Sequence, residues 1–211
     1  MAGNGPTRVP LAPPSAARFR MRALGHGPSP VGTGSGAMWC MIAEAQNTIT
    51  VFKAIDAAVE ELVHIANTMN EHTLNTVPYK DGWTAGQLLR HVTKSTMGMA
   101  EAMDKRGPQT GRNPGGRIPE LKKQFLDFSS KMKSPASIVP EAKHYLKEPG
   151  IEQLQGAFEQ LKLKAGQAEP DTLVEGLPLG PITKWEILHF VLFHTQRHMH
   201  QLTKINAALH R

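Results

Sequence analysis

The sequence has little cysteine and no long apolar run. Cys40 is the single cysteine among 211 residues, which excludes an internal disulfide framework and any cysteine-rich zinc or iron–sulfur site. The densest apolar stretch, residues 187–193, is interrupted by His189. It is much shorter than the roughly 18–20 apolar residues that span a bilayer, so we expect no membrane partner.

Acidic residues are missing from the start of the chain, because none precedes Glu44, whereas four arginines do. The formal net charge of +6 therefore belongs mostly to residues 1–43. The remaining chain carries 20 basic and 18 acidic residues, a net charge of +2. It has no basic stripe interleaved with aromatic residues, so we expect no nucleic-acid partner.

Residues 1–43 are rich in glycine and proline. A segment of this composition buries too little surface to offset its ordering entropy. We therefore expect a disordered tail over residues 1–43 and one domain over residues 44–211. The tail carries arginine and no acidic residue, as mitochondrial transit peptides do. Transit peptides are also amphipathic, however, and this tail is only poorly so. We therefore favour a natural start at Met38 or Met41 and a cytoplasmic protein over a mitochondrial one.

From Asn47 onwards the apolar residues recur at three- and four-residue steps, which predicts amphipathic helices. The predicted long helices run from Asn47 towards Pro78, from Thr84 as N-cap to about Met103, over Ile151–Lys164 and from Lys184 to about Leu209, with a short helix at Glu120–Met132. No stretch alternates with period two for long enough to predict a strand. The pattern indicates an all-α four-helix bundle.

Histidine is abundant, with ten residues in the chain. In the last predicted helix, His194 and His198 lie about 40° apart on the apolar face with Gln201 beside them, whereas His189 and His200 point away. Two imidazoles at positions i and i+4 can reach one metal ion. Buried histidines are also found as hydrogen-bonded core residues, but one cation would satisfy two neutral imidazoles together.

A third ligand should come from another inward face. His91 is the best candidate, because it lies on a small, mildly polar side of the second predicted helix. His64 competes with it, but its neighbours Glu60 and Glu61 indicate the edge of the buried stripe. His72 and His144 lie in predicted connections.

Two segments resemble a known family. Residues 82–91, GWTAGQLLRH, are similar to the Trp…Gln…His opening of the second helix in the DinB/YfiT-like superfamily. Residues 194–201, HTQRHMHQ, are similar to its closing His-x-x-x-His-x-x-Gln motif. Residues 179–185, LGPITKW, resemble one DinB-like branch of unknown function, and the layout matches from about residue 47 to residue 209.

The resemblance implies an up-down-down-up four-helix bundle that binds one divalent metal through His91, His194 and His198. Imidazole ligands suit zinc, nickel, copper and iron, and of these we expect zinc or nickel. The resemblance also implies that Gln201, and Gln87 on the second helix, are outer hydrogen-bond partners of the ligands. His200 stands where relatives often have glycine or arginine. Because members of this superfamily often form dimers, a homodimer is a further expectation.

Three histidine ligands leave a coordination position for water or substrate. No carboxylate lies in the inward sector, since Glu101 and Glu186 are each about 80° away. A hydrolase normally needs such a group to move protons, whereas the resemblance implies a metal-dependent transferase that uses a low-molecular-weight thiol on a small-molecule substrate. A metal-dependent hydrolase and a non-catalytic metal-binding stress or interaction protein stay open, so enzyme activity itself is undecided.

Three arginines lie in or beside the glycine-rich segment at residues 107–116. Arg106, Arg112 and Arg117 could attract an anionic cosubstrate. Arginines of a loop are more commonly solvated, so this remains the weaker interpretation.

Overall fold

The computed structural model describes the backbone of residues 35–210 and the side chains of residues 47–210. The expectations for residues 1–34 lie outside the described residues, as does the side chain of Cys40. The elements are α1 (Ser35–Asn67), α2 (Glu71–Asn75), α3 (Ala85–Met103), α4 (Ile118–Leu126), a 3-10 turn (Ala136–Ile138), α5 (Lys147–Ala165), β1 (Leu173–Val174), β2 (Ile182–Thr183) and α6 (Lys184–Leu209).

The long helices α1, α3, α5 and α6 form the predicted four-helix bundle. Helices α3 and α5 run parallel, because Lys164 near the end of α5 pairs with Asp104 just after α3. Helices α1 and α6 are also parallel, since Asn206 near the end of α6 donates to Thr68 just after α1. Lys147, at the start of α5, bonds the backbone beyond the end of α1, which makes α5 antiparallel to α1. The chain order is therefore up-down-down-up, as predicted.

Apolar side chains from all four long helices fill the bundle core. Fully buried members are Ile55, Leu62, Leu88, Leu154, Leu161, Ile187 and Leu202. The stripe predicted for the first helix is buried from Ile55 to Met69, but Ile49, near the beginning of that stripe, is 53% exposed. None of the described helices combines the length and apolarity needed to cross a bilayer.

Helices α1, α4 and α5 differ from their predicted bounds, and α5 begins at Lys147 rather than at Ile151. Helix α1 begins at Ser35 and so takes in residues 35–43 of the predicted tail. Residues 37–46 lack glycine and proline, and extending an existing helix through such residues costs little. Helix α4 ends at Leu126 rather than at Met132, because Asp127 forms local hydrogen bonds with the two serines that follow it. Such bonds compete with helical ones.

Four short elements were not predicted, and one of them is the 3-10 turn at Ala136–Ile138. Helix α2 has five residues, and β1 and β2 pair antiparallel over two residues each. Elements of this length contain too few residues to show a period of 3.6 or of 2. The β1–β2 pair fixes the approach to α6, whose first residue follows β2 directly.

Candidate metal centre

His91 lies in the second turn of α3, and the start of this helix is fixed by a capping box. The Thr84 hydroxyl accepts a hydrogen bond from the backbone N–H of Gln87 (3.1 Å), and the Gln87 side-chain oxygen accepts one from the backbone N–H of Thr84 (3.0 Å). This reciprocal pair satisfies two backbone donors that a helix start otherwise leaves free. His91 thereby faces the bundle interior, where it is 2% exposed.

His194 and His198 lie one turn apart in α6. A second capping box, between Thr183 and Glu186, begins this helix. Both imidazoles are buried, as the rotation about the helix axis predicts for this face. The neighbouring turns contribute buried aliphatic and aromatic residues, so the two histidines are polar groups in an apolar surrounding.

The three imidazoles converge through their Nε2 atoms. His194 Nε2 lies 3.3 Å from His91 Nε2 and 3.0 Å from His198 Nε2. Ligand nitrogens from the three rings all lie within 4.8 Å of one another. Nitrogens that bind one tetrahedral zinc ion at about 2.0–2.1 Å are about 3.3 Å apart. The structure thus brings together the three histidines that the sequence selected, at a spacing that suits one ion.

Outer hydrogen bonds fix which nitrogen carries the hydrogen in two of the rings. His91 Nδ1 lies 2.9 Å from the backbone oxygen of Ile138, and His198 Nδ1 lies 3.1 Å from the side-chain oxygen of Gln201. Both oxygens can only accept, so each Nδ1 donates and each Nε2 presents a lone pair to His194.

These lone pairs create a conflict that a cation would remove. A neutral His194 can offer at most one Nε2–H, yet its Nε2 is close to the lone pairs of both His91 and His198. At least one pair of nitrogens therefore meets without a hydrogen between them. A metal ion accepts all three lone pairs, and outer partners such as Ile138 and Gln201 are what histidine ligands of metals usually have.

All three imidazoles are held in the neutral form that metals bind. Burial is the main cause: it lowers the pKa of His91, lowers the pKa of His194 well below its usual range, and lowers the pKa of His198 to about 3. The neighbouring imidazoles lower the pKa of His194 and of His198 further. The hydrogen bond to Ile138 raises the pKa of His91 but does not cancel the effect of burial.

Aromatic rings pack against the cluster. The ring centroid of Trp83 lies 5.0 Å from that of His91, while those of Phe190 and Phe125 lie 5.3 Å and 6.1 Å from that of His194. These contacts limit rotation of the imidazoles and keep water from part of their surface.

No carboxylate or thiolate joins the three nitrogens among the side chains of residues 47–210. Glu186 is fully buried near the start of α6, but it accepts hydrogen bonds from Arg112 at 2.6 Å and 2.7 Å and from the backbone N–H of Arg117 at 2.8 Å. Burial alone would raise the pKa of Glu186, but these bonds and one from the Thr183 N–H hold it below its usual value. The Arg112 side chain and the Arg117 backbone N–H thus anchor Glu186, whereas the Arg117 guanidinium bonds Glu120 and the backbone oxygens of Leu179 and Pro181.

Other sequence candidates lie away from the cluster. Gln87 caps α3 at Thr84, so its side chain is engaged at the helix end rather than at an imidazole. His64 is exposed on α1. His144 pairs with Glu71 at the surface.

His189 and His200, predicted to face away, also lie outside the cluster. The His189 ring packs edge-on against Trp185, and the His200 ring stacks on Phe128 with centroids 4.2 Å apart. The angular positions about the helix axis therefore correctly predicted which of these α6 histidines lie in the cluster and which lie outside it.

Sequence reasoning missed the contribution of Ile138. Every residue carries a carbonyl, and only the path of the chain between α4 and α5 decides which one reaches His91. Lys94, one turn after His91, helps to fix that path by donating to the backbone oxygen of Val139 at 2.9 Å. The prolines that flank this stretch are the one signal in the sequence that it is stiff.

Comparison with known proteins agrees with the fold. A sequence profile of the DinB superfamily matches residues 54–202. Among solved structures, YfiT from Bacillus subtilis, described as a probable metal-dependent hydrolase with an unusual four-helix bundle topology, aligns with a TM-score of 0.50 and 12% identity over 77% of this chain and 87% of YfiT. No curated protein matches the sequence significantly.

The identity to YfiT is low enough that this likeness shows the fold alone. The profile match shows the family as well as the fold, because it extends over most of the described helices and includes all three histidines of the cluster. The chain therefore belongs to the DinB superfamily.

Proposed function

We propose that this chain is a divalent-metal-dependent enzyme acting on a small molecule, with zinc or nickel held by His91, His194 and His198. The observation that carries the proposal is the convergence of three neutral imidazole nitrogens, two of them with their hydrogens directed outward. Three protein ligands and an open position are the donor set of catalytic zinc sites. Imidazole ligands suit nickel as well.

The chain's own residues would hold the ligands in place. Ile138 orients His91 and Gln201 orients His198, while Phe125 packs beside His194. A divalent ion bound there would supply Lewis acidity, which lowers the pKa of a bound water or thiol.

The reaction that we propose is transfer of a low-molecular-weight thiol to a small electrophile. Hydrolysis usually needs a side chain that moves protons, but the three histidines would serve as ligands and Glu186 is engaged with Arg112. A thiol needs such a group less, because its pKa of about 8.5 is close to neutrality. In the transfer, sulfur bonds to the electrophilic carbon, the leaving group departs with its electron pair, and the thiol proton passes to solvent.

Hydrolysis is the second candidate. It is favoured by the likeness to YfiT, a protein described as a probable metal-dependent hydrolase. Among the described side chains no carboxylate joins the histidine cluster, so hydrolysis would have to proceed without one from these residues, and this is why we place it second.

The two reactions are separated by substrate panels. The full chain, loaded with zinc or with nickel, is incubated with glutathione or cysteine and the electrophile 1-chloro-2,4-dinitrobenzene, and separately with activated esters and amides. We expect metal-dependent thiol consumption that is lost in His91→Ala and His194→Ala. The exposed His64→Ala on α1 is the matched control and should keep full activity.

The results of the two substrate panels distinguish thiol transfer from hydrolysis and from a protein without activity. Ester or amide cleavage without thiol consumption would contradict thiol transfer and support the hydrolase. A protein that binds metal but turns over neither panel would support a non-catalytic metal-binding protein.

A further inference from the structure

A concave site lies between α3 and the N-terminal end of α5. Its volume of about 420 Å³ falls in the range of roughly 300–1,000 Å³ that is typical of small-molecule sites. Gly86, Leu89 and Arg90 of α3 form one wall, and Lys147 and Gly150 of α5 form another. None of the three clustered histidines lines this cavity, so it is separate from the candidate metal centre.

The lining of the cavity is basic. Arg90, Lys143 and Lys147 line it together with His144, and among the described side chains no aspartate or glutamate does. His144 is already paired with Glu71, so the three permanent cations are the groups that distinguish this surface. Their positive charge faces a concave space in which a ligand would be partly shielded from water, and this strengthens electrostatic attraction.

Two carboxylates lie near these cations without forming good hydrogen bonds to them, and Lys147 Nζ donates to the Met69 backbone oxygen at 3.3 Å. Glu141 approaches Arg90 Nε only to 3.6 Å, and Glu148 approaches Lys147 Nζ only to 3.7 Å. Both distances exceed those of good hydrogen bonds. Ion pairs of this kind at exposed carboxylates contribute little.

Arg90 is the residue that points to a ligand. Its Nε atom is buried without a hydrogen-bond partner, which among the described side chains is true of one other atom, Asn206 Oδ1. Its Nη1 atom makes only a long hydrogen bond, 3.4 Å, to Gln153. A buried guanidinium donor without a partner is unfavourable. The Arg90 side chain as a whole is 29% exposed, so a carboxylate or phosphate group in the cavity can reach the guanidinium and supply two acceptors in matching geometry.

We propose that this cavity binds a small organic anion. Its carboxylate or phosphate group would accept hydrogen bonds from Arg90, and its apolar body would pack on Leu89 and on Leu146, which also line the cavity. Gly150 leaves room for such a molecule, because a Cβ atom built there meets no other atom within 4 Å.

The proposal is tested by calorimetric titration of the full chain with two probes, benzoate and inorganic phosphate. We expect saturable binding of at least one probe, weakened about tenfold or more by Arg90→Gln, since a hydrogen bond to a charged group is lost. Arg106→Gln, at an exposed arginine in the loop after α3, is the matched control and should bind like the wild type. Gly150→Leu should abolish binding by filling the cavity, and leucine favours a helix more than glycine does.

Circular dichroism shows whether the Gly150→Leu variant keeps its helices. If the variant has lost them, the proposal is decided by comparing the binding of Arg90→Gln with that of Arg106→Gln. The absence of binding by both probes, or equal binding by Arg90→Gln and the wild type, would overturn the proposal. Binding that is lost in His194→Ala but kept in Arg90→Gln would place the anion at the histidine cluster and would equally overturn it. Binding kept in His194→Ala supports a site that does not depend on the proposed metal centre.

Discussion

The orientation of His91 depends on two consecutive carbonyls in the connection before α5. Ile138 accepts a hydrogen bond from His91 Nδ1, and the next carbonyl, that of Val139, accepts one from Lys94 Nζ. Lys94 also forms an ion pair with Glu141 at 3.2 Å. His91 and Lys94 are three residues apart on α3 and hold the same stretch of backbone, so Lys94 is a positioning residue for His91.

Replacing Lys94 with methionine tests this role. Methionine keeps the apolar stem but removes the donor to Val139, so the Ile138 carbonyl is held less firmly. We expect about tenfold weaker zinc affinity, the lower end of the effect of losing an outer partner, with little change in melting temperature. Competition with a chromophoric chelator measures the affinity.

Lys122→Met, at an exposed lysine on α4, is the control and should bind zinc like the wild type. Equal zinc affinity of Lys94→Met and the wild type would show that the Ile138 carbonyl keeps its place without Lys94.

At the scale of elements, the start of α6 is anchored by buried charge. Glu186 is fully buried and accepts hydrogen bonds from Arg112, from the Arg117 N–H and from the Thr183 N–H. These bonds tie the loop before α4 to the first turn of the helix that carries His194. A buried carboxylate that loses its cation becomes strongly destabilising.

Arg112→Leu should therefore destabilise the fold. Because Arg112 is 37% exposed at its side chain, we expect a loss of about 2 kcal/mol in the free energy of unfolding, below the usual cost for a fully buried pair. Urea denaturation measures the change. Arg106→Leu should stay within about 0.5 kcal/mol of the wild type, and a similarly small effect of Arg112→Leu would mean that Glu186 is stabilised by its backbone donors alone.

The helices whose starts could be located from the sequence are those with both an apolar period and a capping residue. Helices α3 and α6 each begin with a threonine capping box, and their apolar residues follow the helical period, so their starts were located closely. Helix α2 and the β1–β2 pair are too short to show a period. Their positions follow from tertiary packing.

The candidate site could also be predicted only in part. His194 and His198 are one turn apart on an apolar face, so rotation about one helix axis is enough to pair them. His91 comes from another helix, and its selection rested on a small polar face and on the family resemblance. Gln87 was expected near the ligands, but it stands at the N3 position after the predicted N-cap Thr84, where a capping box engages its side chain. The Ile138 carbonyl depends on the path of an irregular segment, which the sequence does not specify.

For the whole molecule, the buried imidazoles predict a dependence of stability on pH. In the folded protein without metal, burial holds the pKa of His198 at about 3, against an ordinary value of 6.5, and those of His91 and His194 are lowered as well. At a pH between the lowered pKa values of the folded protein and the ordinary value of 6.5, the unfolded chain binds protons that the folded chain does not. The stability of the fold therefore rises with pH in this range.

We therefore expect the free energy of unfolding of the chelator-treated protein to fall as the pH drops below about 6.5. Urea denaturation across this range measures the slope. His198→Gln should show a shallower slope, and His72→Gln, at an exposed histidine on α2, controls for the loss of a histidine. Equal slopes in His198→Gln and the wild type would contradict a buried neutral His198.

The central claim, that one metal ion is held by three histidines from α3 and α6, is tested most directly by metal content. Protein purified without a histidine tag is analysed by plasma emission spectroscopy beside His91→Ala, His194→Ala and the exposed control His64→Ala. We predict about one equivalent of zinc or nickel in the wild type and the control, and its loss in both cluster variants. A wild type that holds no metal even after zinc or nickel is added, or cluster variants that hold as much as the wild type, would contradict the claim.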